Sequence, residues 1–193
     1  MRVLVIYCHP RPDSFCAAQR DAVIASLRAA GHQITQRDLY AEGFSPAMTA
    51  EEHGRYLDAP ANLQGIDDHV AALRATEALV LVYPTWWYGL PAMLKGWLDR
   101  VWVPGVTFAL GDGAIEPLLT NIRKIAVVTS YGSPLWLLWY VGWGDYKLIR
   151  RGLRRLCAKG CRLDWLYLHD MDRRQRPALS RHLDKIRAHF SRW

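Results

Sequence analysis

A chain of 193 residues, 51% hydrophobic and 22% charged, is long enough for one well-buried domain, short for two, and holds no apolar run of bilayer-spanning length. The formal net charge of +7 allows attraction to phosphates, anionic lipid or nucleic acid, but charge balance speaks to association rather than to fold. Nucleic-acid binding rests on that charge alone and is set aside.

The chain enters Arg2-Val3-Leu4-Val5-Ile6-Tyr7 without the basic, apolar and small-residue regions of a signal peptide, so the expectation is a soluble, cytoplasmic protein with one domain over residues 1–193. Four cysteines, Cys8, Cys16, Cys157 and Cys161, fit neither a disulfide framework nor paired zinc ligands and read as reduced thiols. His169, His182 and His189 stand far apart without carboxylates at ligand spacing, so no metal is expected.

In chain order, Val3 to Tyr7 reads as a central strand, residues 8–14 as a turn, and Phe15 to Ala30 as a helix stopped by Gly31. Asp13 or Ser14 is a ready N-cap. A strand, a tight loop and a helix N-terminus make an anion site, so a phosphate could sit on residues 13–17; an ordinary capped helix explains the same residues. His32 to Asp38 gives a second strand, followed by a long connection with a short helix near Thr49 to Leu57. Ile66 to Thr76 gives the next helix, with Val70 and Leu73 on one face.

The stretch Tyr83-Pro84-Thr85-Trp86-Trp87-Tyr88-Gly89-Leu90-Pro91 follows the apolar run Ala78 to Val82, of the kind a parallel strand buried on both faces requires. Pro84 closes that strand, and after Pro91 apolar residues return at Leu94, Trp97, Leu98 and Val101 with helical spacing. Aromatics therefore sit at the carboxyl end of a buried strand, where open α/β sheets hold ligands, and a planar, electron-rich guest suits them. Residues 104–106 and Gly111-Asp112-Gly113 read as loops, Lys124 to Thr129 as the fourth strand, and Ser130-Tyr131-Gly132 as a second strand end facing the same crevice.

Leu135 to Trp143 is too short to span a bilayer, and three uses stay open: a packed or dimer-buried segment, the wall of an apolar pocket, or peripheral membrane contact. Asp145 to Ala158 reads as a helix with Leu148, Leu153 and Leu156 inward. Its arginines form a solvated face or a phosphate or headgroup contact. A fifth strand near Leu163 to Leu168 and a helix over Pro177 to Phe190 complete the chain. Such alternation implies an α/β fold, a doubly wound five-stranded parallel sheet with helices on both faces.

Four segments carry a resemblance: His9-Pro10 through Ser14-Phe15; Asp38-Leu39-Tyr40 with Phe44-Ser45-Pro46; Pro84-Thr85-Trp86-Trp87-Tyr88 through Leu94-Lys95-Gly96-Trp97; and Thr129-Ser130-Tyr131-Gly132. In this order and spanning residues 1 to about 145, they resemble the flavodoxin-like NAD(P)H:quinone oxidoreductase family, the DT-diaphorases and their short bacterial relatives. The resemblance implies a flavin with its phosphates at His9, Ser14, Phe15 and Cys16 and its ring across Pro84 to Tyr88 and Thr129 to Gly132. It further implies hydride transfer from NADH or NADPH and two-electron, ping-pong reduction of quinones or similar flat electrophiles by a homodimer. Residues 60–64, ending in Gln64, resemble a loop near the adenine of FAD in longer members, which favours FAD over the alternative, FMN.

Two positions depart from the family pattern. Where the family has a Tyr and a His beyond the fourth strand, this chain has Leu137 and Trp143, so Tyr140 is the nearby candidate for a catalytic role. Tyr131 replaces a glycine and is expected to cover the ring. Short relatives in this family also dock on bacterial potassium-efflux transporters, which makes a flavin-binding ancillary subunit the alternative function.

Overall fold

The computed structural model describes residues 1–111 and 113–193. Its main sheet is built from β1 (Arg2–Tyr7), β2 (Gln33–Asp38), β3 (Ala78–Pro84), β6 (Lys124–Ser130) and β7 (Arg162–Leu168), all parallel, in the order β2-β1-β3-β6-β7. This is the expected doubly wound, five-stranded, flavodoxin-like arrangement. Between β3 and β6 lies a small antiparallel hairpin, β4 (Phe108–Leu110) and β5 (Ile115–Pro117). It occupies part of what the sequence reads as loops; Asp112, assigned to the same loop, lies outside the described residues.

The helices are α1 (Phe15–Ala29), α2 (Ala50–Gly54), α3 (Asp67–Ala75), α4 (Ala92–Val101), α5 (Leu135–Val141), α6 (Gly144–Lys147) and α7 (Arg176–Phe190). The central strands bury both faces because their middle residues, Val3 to Ile6, Ala78 to Val82 and Ile125 to Val128, are all apolar, and alternate residues go to opposite cores. Leu4, Ile6, Leu79, Leu81, Ile125 and Val127 meet Val70, Leu73, Leu94 and Trp97 of α3 and α4. Val3, Val5, Val80, Val82, Ala126 and Val128 meet Ala22, Val23 and Leu27 of α1 and Ile186 and Phe190 of α7. Each such aliphatic burial is worth about 1.5–3 kcal/mol against an extended chain, and together they fix where the strand ends emerge.

The basic segment after Gly144 does not form the single helix its periodicity suggests. α6 gives way to a wider turn over Leu148–Gly152 and a tighter one over Leu153–Leu156. Gly152 weakens the helix at the changeover. The rewinding buries Ile149 and Leu153 and leaves Leu148 exposed, so Leu148 is not the inward residue.

Candidate functional site

Three neighbouring strands, β1, β3 and β6, release their chains at one edge of the sheet, and the strand order reverses beside β1. That is the topological switch point, where such sheets bind ligands. A cavity of about 490 Å³ opens there, lined by His9, Ser14, Phe15, Cys16, Pro84 and Ser130 among others. A second, of about 340 Å³, is lined by Trp87, Tyr88, Tyr131, Ser133 and Leu138 among others. Thr85, Trp86 and Gly132 belong to both, so the two make one crevice. A larger cavity, of about 640 Å³, lies elsewhere, among α4, the hairpin and residues 148–156.

The first half is built to hold an anion. Ser14 is extended and caps α1, its Oγ accepting the Ala17 N–H at 3.1 Å, while the N–H groups of Phe15 and Cys16 belong to the set a helix leaves unpaired. His9 Nδ1 lies 3.0 Å from Arg11 N and 3.2 Å from Arg11 O, contacts that seat the ring on the cavity wall. Asp13 would repel an anion, but Arg11 grips both its oxygens, at 3.0 and 2.8 Å. Burial pushes the Cys16 thiol far up, so that it faces the cavity as a neutral group.

The second half is aromatic on one side and hydroxylic behind. Trp86 and Gly89 exchange backbone hydrogen bonds at 3.2 and 3.1 Å around Trp87 (φ 50°) and Tyr88 (φ 60°). This is a two-residue turn with both central residues left-handed, a geometry that favours Asn-Gly. A bulky side chain in that region costs about 1–2 kcal/mol, and Trp87 is nonetheless 97% exposed. Strain without burial at a cavity mouth points to function. Behind the crevice, Tyr83 Oη, Thr85 Oγ1 and Tyr131 Oη donate to Asp145 Oδ2 at 3.2, 3.2 and 2.9 Å. The Thr85 hydroxyl also meets that of Thr129, at 3.0 Å, and the Tyr146 N–H donates to Asp145 Oδ1 at 2.9 Å.

A family model described as flavodoxin-like fold matches residues 1–189. An uncharacterised NAD(P)H oxidoreductase, YcaK of Escherichia coli, is 33% identical over 81% of this chain and 76% of its own length. The chain belongs to the flavodoxin-like NAD(P)H oxidoreductase family. Within it, the human ribosyldihydronicotinamide dehydrogenase [quinone] is 27% identical over 68% of this chain; the match spans 64% of that longer protein, just under two thirds. The solved structure of an NAD(P)H:quinone oxidoreductase from Methanothermobacter marburgensis superposes with a TM-score of 0.82 at 25% identity, covering 99% of this chain and 96% of that one.

Of the residues that the family pattern singles out, His9, Ser14, Phe15, Cys16, Pro84, Thr85, Trp86, Trp87, Tyr88, Ser130, Tyr131 and Gly132 all line the crevice. Thr129 reaches it through Thr85. Tyr131 does not cover the crevice as expected: it is buried, its hydroxyl turned to Asp145 and its ring edge-on to Trp143 and Tyr167. Tyr140 is not brought to this chain's crevice. Helical spacing sends Leu138 inward and leaves Tyr140 85% exposed. Gln64 is also exposed, at the end of a loop tied elsewhere: Asn62 Nδ2 donates to Pro104 O at 3.0 Å. Sequence reasoning missed Asp145, taken only as a helix start, and Met171 and Asp172, which line the cavity from beyond β7.

Proposed function

We propose that this family member works as a flavin-dependent NAD(P)H oxidoreductase that reduces quinones or similarly flat electrophiles. The observation that carries the reading is the continuity of the crevice: an anion cradle at the α1 N-terminus opens directly into an aromatic and hydroxyl-lined slot. A flavin matches that sequence of chemistries, a phosphate followed by a flat, polar-edged ring. The flavin supplies acceptance of hydride from the nicotinamide and its delivery to the acceptor.

The chain's own residues bind, orient and shield. Ser14, His9 and the first α1 amides offset phosphate charge. The turn at Trp86 to Tyr88 forms one wall, steadied where Ser133 Oγ donates to Tyr88 Oη at 3.2 Å. Gly132 keeps the opposite wall low: a Cβ there would stand 2.6 Å from Asp172 Oδ2. One open mouth serves nicotinamide and acceptor in turn, which gives ping-pong kinetics.

The residues that one copy brings together suffice for the FMN portion common to both flavins, and FMN is the cofactor we assign. Gln64, the residue that would favour FAD, does not line the crevice. A homodimer would cover Trp136 and Trp139, 69% and 70% exposed, and would give Tyr140 a crevice to reach. Among the described residues no helix is long and apolar enough to cross a membrane, and the comparisons lend no support to an ancillary subunit of an ion-efflux system. Heat release of the flavin, its identification by chromatography, and NADH and NADPH oxidation with a benzoquinone test the reading. Purified protein that takes up no flavin overturns it.

A further inference from the structure

Asp145 is 1% exposed, and among the described residues no Lys, Arg or His lies within ion-pair distance of it. A buried carboxyl without a counter-ion is costly unless its hydrogen bonds are satisfied. Here four donors surround it: Tyr83 from β3, Thr85 from the aromatic loop, Tyr131 from the loop after β6, and the Tyr146 N–H from α6 itself. The only titratable side chains among these are the two tyrosines, and burial beside Asp145 holds both well above their ordinary range, as neutral donors. Donors favour the carboxylate while burial opposes it. Burial is the larger influence and raises the carboxyl above the ordinary Asp range.

Two of these donors, Thr85 and Tyr131, are themselves walls of the crevice, so the carboxyl stands one layer of hydroxyls behind whatever binds there. We propose that Asp145, as a carboxylate, sets the reduction potential of the flavin held in this crevice, making the reduced flavin a stronger hydride donor. The inference rests on the flavin reading above. Hydride transfer to the ring adds one negative charge to it, and a fixed negative charge behind a water-poor wall opposes that step. Unit charges about 8 Å apart at an effective dielectric of about 20 change an equilibrium by roughly thirtyfold. For a two-electron couple, at about 30 mV per tenfold, this corresponds to about 45 mV. Asp145 is thus a positioning and tuning residue, acting through Thr85 and Tyr131.

The test is the midpoint potential of bound flavin, equilibrated against a reference dye at neutral pH, in the wild type and in Asp145→Asn, Asp145→Ser and Asp145→Glu. The two uncharged variants are expected to raise the potential by about 45 mV, and the Glu variant to stay near wild type. An Asn variant that holds flavin at the wild-type potential, or a lower one, overturns the inference. If the Asn variant does not fold, the Ser variant decides by the same criterion. Loss of folding or of flavin in both uncharged variants overturns it as well, because a residue that only tunes the ring leaves the phosphate cradle intact. Failure of the wild type to take up flavin sinks the functional reading itself, so the two failures are distinguishable.

Discussion

Gly96→Ala sets two effects of known size against each other. Gly96 lies inside α4, where replacing glycine by alanine gains about 1 kcal/mol of helix propensity. The loop after β2 reverses the sign: an added Cβ would stand 2.2 Å from Pro46 O and 2.5 Å from Pro46 Cα. The obstacle is backbone, so no rotamer change relieves it, and the loop must retreat by about 1 Å to reach ordinary contact distance. That loop is held by Arg100, which donates to Ser45 O and pairs with the partly buried Glu52. Moving it gives up those bonds, at about 1.5–3 kcal/mol for hydrogen bonds to charged groups, in addition to about 1–3 kcal/mol of overpacking. Net destabilisation is on the order of 2–4 kcal/mol after the propensity gain. For a chain of this length that lowers Tm by roughly 5–15 °C. Calorimetry or a circular-dichroism melt reads it directly. A Tm equal to or above wild type would mean that the close approach of α4 to Pro46 is not rigid, and would refute the reasoning.

Three further outcomes test the site and its support. Ser14→Ala removes a helix cap and, on the proposed reading, a phosphate partner; it should cost about 1 kcal/mol of stability and weaken flavin binding roughly tenfold or more by titration. Equal flavin affinity in the two proteins would move the phosphate away from α1. Trp87→Gly should stabilise the fold by about 1 kcal/mol by relieving left-handed strain while lowering flavin or acceptor affinity; loss on both counts would mean the turn is structural. His69 is neutral in the fold because Trp97 Nε1–H donates to its Nδ1 at 3.2 Å. Burial first, then the Arg37 charge and, less, that of Arg100, pushes it down to about 4 against the opposing charge of Asp68. The unfolded chain therefore binds more protons between about pH 6.5 and 4, and stability should fall as pH drops through that window. His69→Gln, which keeps an acceptor for Trp97, should flatten that part of the denaturation profile; an unchanged slope refutes it.

The strands and the long helices were legible because their signals are local. Val3 to Tyr7 and Ala78 to Val82 can be buried on both faces only in a parallel sheet, and Ser14 and Gly31 bracket α1 in the way helix ends require. What escaped depends on tertiary partners. The hairpin of Phe108–Leu110 and Ile115–Pro117 has strands of three residues each, too short for alternation to register. The rewinding after Lys147 follows from Ile149 and Leu153 reaching one core, which periodicity alone cannot weigh. Gly96 reads as an ordinary member of the Leu94-Lys95-Gly96-Trp97 run until Pro46 is placed against it. Met171 and Asp172 carry no signal of their own, yet β7 pairs beside β6, so the end of a fifth strand next to the candidate site was a place to look.

Asp145 escaped for a related reason, and that reason bears on how the crevice works. Tyr83 and Thr129 continue the inward-facing rows Leu79-Leu81 and Ile125-Val127 of the α3 and α4 core. At the carboxyl end those two rows therefore change from aliphatic to hydroxyl-bearing side chains while still pointing into a dry interior. Hydroxyls buried there need acceptors, and the sheet's carbonyls point along the ladder within its plane rather than toward the face on which these side chains stand. A carboxylate brought in from α6 satisfies Tyr83, Thr85 and Tyr131 with one oxygen. Gly144 permits its approach: a Cβ there would lie 3.2 Å from Tyr88 O, tighter than ordinary contact. The element that carries Asp145 is thus seated against the aromatic turn, and a shift in that turn on ligand binding would be felt at Asp145. Substitutions at Trp87 or Tyr88 that relax the turn should accordingly move the flavin potential in the same direction as Asp145→Asn, and a potential that stays fixed across them would show the two sides of the crevice to be uncoupled.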